Sequence, residues 1–280
     1  MPVFETPDPI SATIEAVCGH VWIRASDRAD TVVEVRPADE SADGDVRLAE
    51  QTRVDYDAGR LHVRSPRNTL RSLFGRTPSI EVTVELPAGS RVDAKGTGNF
   101  RGEGRLGDCS FDTAAGSIRL DRAGRLKLRS AAGDVRVDRS GGHADVLTST
   151  GKIWLGAVEG TAVARTSNGD ITVGEAAGEL RLKTANGDIT VDRALAAVGA
   201  TTAFGSVRIG EAVRGAVTLE TGFGELEIGI PEGTAAWLDV RSRFGSVRSE
   251  LETSGAPPEG GETVEVRART GYGDILVHRP

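Results

Sequence analysis

The chain has 280 residues, of which 38% are apolar, 27% charged and only 4% aromatic, with a formal net charge of -7. That is enough apolar chain to bury a sizeable core without metals or staples. The dispersed negative balance excludes a basic nucleic-acid-binding surface, no run of eighteen apolar residues marks a membrane-spanning helix, and Cys18 and Cys109 form neither a CxxC pair nor a disulfide framework.

The N-terminal segment, MPVFETPDPISATIEAV, carries acids and prolines where a secretory signal would have a basic start and an apolar stretch, which points to a cytoplasmic protein. Residues 1–95 read as a β capping region. Its runs ISATIEAV, GHVWIRAS, TVVEVRP, RVDYDAGRLHVRS and SIEVTVELP alternate apolar and polar side chains with period two and predict antiparallel strands, with a turn at Asp57-Ala58-Gly59 and one helical turn over 46–51. Between them SPRNTLRSLFGRT, 65–77, holds Arg67, Arg71 and Arg76 beside Leu70, Leu73 and Phe74 and predicts an irregular connector, too sparsely basic for an anionic membrane contact.

From residue 96 the chain repeats. A glycine, one polar residue and an aliphatic recur at Gly116, Gly133, Gly151, Gly169, Gly187, Gly205, Gly224, Gly245 and Gly273, with intervals of 17, 18, 18, 18, 18, 19, 21 and 28. Half a period away runs a second element, as in GRLKLRS from Gly124, GTAVART from Gly160, GELRLKT from Gly178 and GAVTLET from Gly215. Two short strands per period of this size predict a right-handed parallel β-solenoid with about 18 residues per coil. Regular coils are expected over 96–228, and irregular coils with a cap over 229–280, where IPEGTAAWLDV echoes LPAGSRVDA of 86–94 and a Gly/Pro-rich loop follows at 254–261.

The period also assigns faces. TSNGDITV at 166–173 returns as TANGDITV at 184–191 because successive coils meet the same steric demands. Leu180, Leu182 and Thr184 point inward while Glu179, Arg181 and Lys183 face water, and Ile171 and Val173 make the other inward pair. Stacking in register sets Thr172 over Thr190, and Asp170 over Asp188, where mild repulsion is expected.

This run of G-D-I-x-V coils, behind the N-terminal strands and the strand-turn SIEVTVELPAGSRV of 79–92, resembles a bacterial β-strand-repeat family of unknown function whose members are often labelled adhesins. The resemblance covers nearly the whole chain. It implies the fold and brings no catalytic or binding residues with it.

Of the residues that could carry chemistry, His20, His62, His143 and His278 lie apart from any second ligand and read as solvated histidines. Cys109 takes the inward place that Leu126 takes one coil later and reads as a small core residue. The repeated Gly-Asp offers one carboxylate per coil, replaced by Lys152, Ser206 or Ser246 elsewhere, which is too few for calcium. TSTGK at 148–152 lacks the first glycine and the closing Ser or Thr of a phosphate loop. No cofactor or metal is expected. One position stands out: the residue before the repeat glycine is Phe204, Phe223, Phe244 and Tyr272 in the last four coils, against Ala115, Ala132, Thr150, Asn168 and Asn186 before them. These rings form one column, either a packed corner or a surface for a partner protein or polysaccharide. The expected function is therefore a non-enzymatic interaction or scaffold protein, a monomer or small homo-oligomer. The competing classes are a self-assembling solenoid and a polysaccharide-acting β-helix enzyme, which would need clustered acids that the outward column Arg119, Arg136, Trp154, Thr172, Thr190 and Arg208 does not supply.

Overall fold

A computed structural model describes residues 1–66, 77–251 and 261–280, in two compact units, Met1–Val137 and Asp138–Pro280. Residues 67–76 and 252–260, with the side chains expected to matter in the 65–77 connector and most of the 254–261 loop, lie outside the described residues.

Alternation of apolar and polar residues yields strands throughout the first unit: β1 (Val3–Glu5), β2 (Ser11–Ser26), β3 (Asp30–Pro37), β4 (Arg53–Asp57), β5 (Arg60–Arg64), β6 (Ile80–Pro87), β7 (Arg91–Arg105), β8 (Cys109–Thr113), β9 (Ile118–Ala123) and β10 (Leu126–Ala132). Among the described residues the one helix is α1 (Asp43–Gln51), longer than the single turn the sequence suggested and carrying Asp43 and Asp45 in its first turn, where the helix dipole favours them. The hairpin β4–β5 turns on Ala58 and Gly59, both at positive φ. Antiparallel pairing joins β1 to β3, β3 to β6 and β4 to β5. The 16-residue β2, however, is a whole coil by itself and pairs in parallel with β5 and β6 along one edge and with β7 along the other. Beyond it β7 pairs in parallel with β8 and β9, and β8 with β10.

Strand β11 (Val135–Ser140) leads into the second unit, which holds β12 (Ala144–Thr150), β13 (Ile153–Val158), β14 (Ala162–Arg165), β15 (Ile171–Ala176), β16 (Leu180–Lys183), β17 (Ile189–Ala194), β18 (Val198–Phe204), β19 (Val207–Ala212), β20 (Gly215–Phe223), β21 (Leu226–Gly229), β22 (Ala235–Phe244), β23 (Val247–Ser249), β24 (Thr263–Tyr272) and β25 (Ile275–His278). From β14 to β21 each strand pairs in parallel with the strand two earlier, so that Ile171, Ile189 and Val207 lie in one row and Ala162, Leu180 and Val198 in another. The chain is thus an all-β parallel solenoid built of coils of about eighteen residues. The inward positions are aliphatic and closed to water: Leu180, Ile189, Val191, Val207 and Ile209 are fully buried.

The corners explain the glycines. Gly187 has φ 147°, and a Cβ there would stand 2.2 Å from the Gly169 carbonyl oxygen of the coil beneath. Both the backbone angle and the close approach exclude a side chain. The inward threonine of the same coil then closes the corner: buried Thr184 donates its hydroxyl to Gly169 O at 3.0 Å, and Thr202 does so to Gly187 O at 3.1 Å. The aspartates beside these glycines, stacked one over the other, are each tied to the backbone of the next coil. Asp188 N–H donates to an Asp170 carboxylate oxygen at 3.1 Å, and Ser206 N–H to Asp188 at 2.8 Å, so each carboxylate serves the backbone of the next coil. The amide of Asp188, and then Lys152 Nζ at 3.0 Å, hold the Asp170 carboxyl below its ordinary range.

Coil order departs from chain order at 215–278. The coil β24–β25 lies between β20–β21 and β22–β23, paired in parallel with both. In the first unit β2 lies likewise between β6 and β7. Each time a similar turn, LPAGS at 86–90 or IPEGT at 230–234, carries the chain past one coil position, which a strand from elsewhere in the sequence fills. Both turns close through an N–H donated to the proline carbonyl, from Ser90 at 3.3 Å and Thr234 at 3.2 Å, and both hydroxyl residues are buried. Arg279 fastens the second turn by donating to the carbonyls of Ile230 and Thr234 at 3.0 and 3.3 Å.

Three outcomes follow for chemical denaturation. Leu182→Ala and Ile189→Ala are each expected to cost about 2–5 kcal/mol through lost transfer energy and a cavity, and Arg181→Ala well under about 1 kcal/mol. Equal costs for the two sets would overturn the assignment of faces. Gly187→Val is expected to cost at least about 3 kcal/mol, since a β-branched side chain meets both a forbidden φ and a backbone oxygen. As the folded-state pKa of Asp170 is depressed, its stabilisation is present above the unfolded carboxylate range near about 4 and is lost as pH falls through the folded value. The stability gap between the wild type and Asp170→Ala, measured in urea across pH, should therefore narrow on acidification; a gap that stays constant would show that the carboxylate charge is not what Asp170 contributes.

Candidate functional site: an exposed aromatic ladder

The residue before the corner glycine lies where one strand ends and the chain turns, so its side chain leaves the core and stacks on its equivalent in the next coil. In the second unit this position runs Thr150, Asn168, Asn186 and Phe204 by consecutive parallel bridges, then Phe223, Tyr272 and Phe244. Asn186 donates its amide to Asn168 Oδ1 at 2.9 Å, a short amide ladder. At Phe204 the column changes character. Ring centroids of Phe204 and Phe223 are 5.1 Å apart with planes 5° from parallel, those of Phe223 and Tyr272 4.8 Å and 1°, and those of Tyr272 and Phe244 4.6 Å and 13°. The sequence placed all four rings in one column; the inserted coil exchanges the order of the last two, so Tyr272 and not Phe244 rests on Phe223.

These rings are not a sealed corner. Their exposures are 55%, 48%, 49% and 52% from Phe204 to Phe244 in spatial order. Because the rings stack face to face, their faces are consumed within the ladder and the ridge shows water mainly ring edges, which carry the positive part of the aromatic quadrupole. The last ring is covered in turn: the Arg243 guanidinium lies 5.4 Å from the Phe244 centroid. With Tyr272 only 4.6 Å away on one face there is no room for it except on the other.

The neighbouring outward columns are ionic. Arg193 pairs with Glu175 at 3.5 Å and with Glu211 at 3.2 Å, and Glu227 with Arg208 at 3.5 Å, while His278 Nε2 lies within hydrogen-bond distance of Glu227, at 3.1 Å. His278 is thereby partly buried and partnered, not the freely solvated histidine expected. His20 is half-buried, stacked on Trp22 with 5.9 Å between centroids and 3.2 Å from the Asn99 amide, whereas His143 is exposed as read and 2.7 Å from the Thr161 hydroxyl. Cys109 aligns with Leu126 as expected; burial pushes its thiol up to about 12, which leaves it unreactive. Lys152, the lysine of TSTGK, is engaged with Asp170. Among the described residues no three His, Cys, Asp or Glu side chains are gathered to hold a metal ion, and no helix is long and apolar enough to cross a membrane.

Several solved bacterial structures align with the whole chain. They include a "putative adhesin" from Parabacteroides merdae (14% identity, 100% of this chain and 95% of that one, TM-score 0.37). A "putative lipid binding protein" from Parabacteroides distasonis matches at 12% identity, with coverage of 100% and 95% and a TM-score of 0.39. A "putative cell adhesion protein" from Clostridium sporogenes matches at 11%, with coverage of 100% and 98% and a TM-score of 0.26. Superposition this loose locates no site. No curated protein sequence matches the chain. The family profile Toastrack DUF4097, a domain of unknown function, matches residues 55–216, from the hairpin β4–β5 to the start of β20 and so more than half of the 280 residues. The chain, repeat and corners alike, belongs to the Toastrack DUF4097 family.

Proposed function

We propose that the protein is a non-enzymatic interaction module whose partner surface is the aromatic ridge of Phe204, Phe223, Tyr272 and Phe244. The observation that carries this reading is that four large rings stand about half exposed at a position where the same fold is built with Ala, Thr or Asn. A contiguous apolar ridge at the surface of a folded unit costs solubility, and such patches mark binding sites. The ring edges favour a protein partner over a sugar chain, because carbohydrate rings stack on open aromatic faces and here the faces are buried in the ladder. An apolar groove on a protein, lined by carbonyls or aromatic faces that meet ring edges, is the complement. The outward charges support a binding role over a catalytic one, since Glu175 and Glu211 are both engaged by Arg193 along their column. We take the protein to act in the cytoplasm, where its free thiols, Cys18 and Cys109, would stay reduced.

The column itself supplies mild test substitutions, because Asn168 and Asn186 occupy the same place. Phe204→Asn and Phe223→Asn should each cost only about 1–3 kcal/mol of stability, from one or two lost ring contacts. Partners recovered from cell extract on the immobilised wild type, then measured individually, should bind at least about 30-fold more weakly to Phe223→Asn if the ring is an anchor. Unchanged affinity of every such partner for a folded Phe223→Asn would leave the ladder a purely structural feature.

A further inference from the structure

The coil β22–β23 is unlike every other coil of the second unit. Its inward residues Ala236, Leu238, Val240 and Ser242 are only half-buried, and Val247 is 46% exposed. Their register partners one coil inward, Val264, Val266, Ala268, Thr270 and Ile275, are 5% exposed or less. The cause is topological. One edge of β22 pairs with β24, and the other has no partner among the described residues, so the apolar interior of the coil lies open there. In the first unit the comparable edge of β6 is occupied by β3, and Ile80, Val82, Val84 and Leu86 are fully buried. A ten-residue strand with an open edge and a half-covered apolar face is a template for another strand.

We infer that a second copy of this chain occupies that edge, through two-fold antiparallel pairing of β22 with β22 centred on Val240. The sequence AAWLDVRSRF is self-complementary in that register. Asp239 falls opposite the partner's Arg241, and Arg241 opposite the partner's Asp239, on the outward face. Trp237, 57% exposed, falls opposite the partner's Arg243, a cation–π arrangement. On the inward face Val240 meets its own copy and Leu238 meets the partner's Ser242. Such a contact is isologous: it closes at two copies and occupies the open β22 edge of both, leaving no vacant β22 edge for growth into a filament. The set of residues differs from the aromatic ridge, apart from the position of Phe244 at the end of β22, and the inference does not depend on the ridge binding anything.

Charge reversal tests the register directly. The wild type should run on size-exclusion chromatography with light scattering at a mass near twice 29.4 kDa, falling towards one copy on dilution. Asp239→Arg sets two arginines against each other across the axis, and Arg241→Asp two aspartates. Each variant alone should be a single copy at concentrations where the wild type pairs, with an unchanged far-ultraviolet circular dichroism spectrum. Mixed one to one, the two variants should pair again, since every cross-axis contact in the mixed species joins an arginine to an aspartate. The double variant Asp239→Arg/Arg241→Asp should pair by itself. A wild type that stays a single copy at all concentrations, folded single variants that still pair, or a mixture that fails to pair would each overturn the inference. Larger, concentration-dependent assemblies would overturn the two-fold closure.

Discussion

The constraint on which this protein rests is the approach of one coil's backbone to the next at the glycine corner. At Gly187 the carbonyl of Gly169 occupies the place a Cβ would take. Only a residue without a side chain lets the coils close to strand-pairing distance there, and only at that distance can Thr184 reach the Gly169 carbonyl and Asp170 the Asp188 amide. Three interactions of different kinds thus depend on one missing methyl group. The eighteen-residue interval is the distance along the chain at which these conditions recur, and it brings like residues into rows.

Rows turn sequence choices into columns, and the chemistry of a column is cumulative. An isolated asparagine or phenylalanine beside a glycine would be an ordinary turn residue. Stacked, Asn168 and Asn186 share an amide hydrogen bond, and Phe204, Phe223, Tyr272 and Phe244 bury their faces in one another. Each ring contact contributes about 0.5–1.5 kcal/mol beyond area burial, so the ladder stabilises the coils that carry it while leaving an apolar edge in water. Stability accounts for the stacking. It does not account for the half-exposed edges, which is why the ridge rather than the core is the candidate surface.

The displaced coils add a long-range element to a fold otherwise made of near-neighbour contacts. The regular coils pair strands about eighteen residues apart, but Leu226 pairs with Ile275 and Ala12 with Val92. Closing such loops costs chain entropy before the contact rewards it. The turns at 86–90 and 230–234 reduce that cost by holding two coils one position apart, with Ser90, Thr234 and Arg279 securing the turn backbone. The same device decides where the second unit ends, on β22–β23 instead of the last coil in the chain, and so which edge is left open.

The amino-acid sequence alone determined the period, the two strands per coil, the inward and outward faces and the column of four rings. Each of these is a local property: alternation by two, a glycine where φ must be positive, a repeat in which identical letters meet identical demands. Membership of a β-strand-repeat family was legible for the same reason, from the G-D-I-x-V coils. Only the tertiary structure decided the order of the coils. Tyr272 stacks as well on Phe223 as on Phe244, so nothing in the repeat says which neighbours it has; turn geometry and the Arg279 contacts choose, and the echo of LPAGS in IPEGT was the one trace of that choice in the sequence. Nor could the sequence orient the Asp170 carboxylate towards the amide of the next coil, which lies 3.1 Å from it. Exposure of the ladder was likewise a tertiary outcome, since whether a ring at a corner is covered depends on what else packs there, and a repeat specifies only what lies directly above and below.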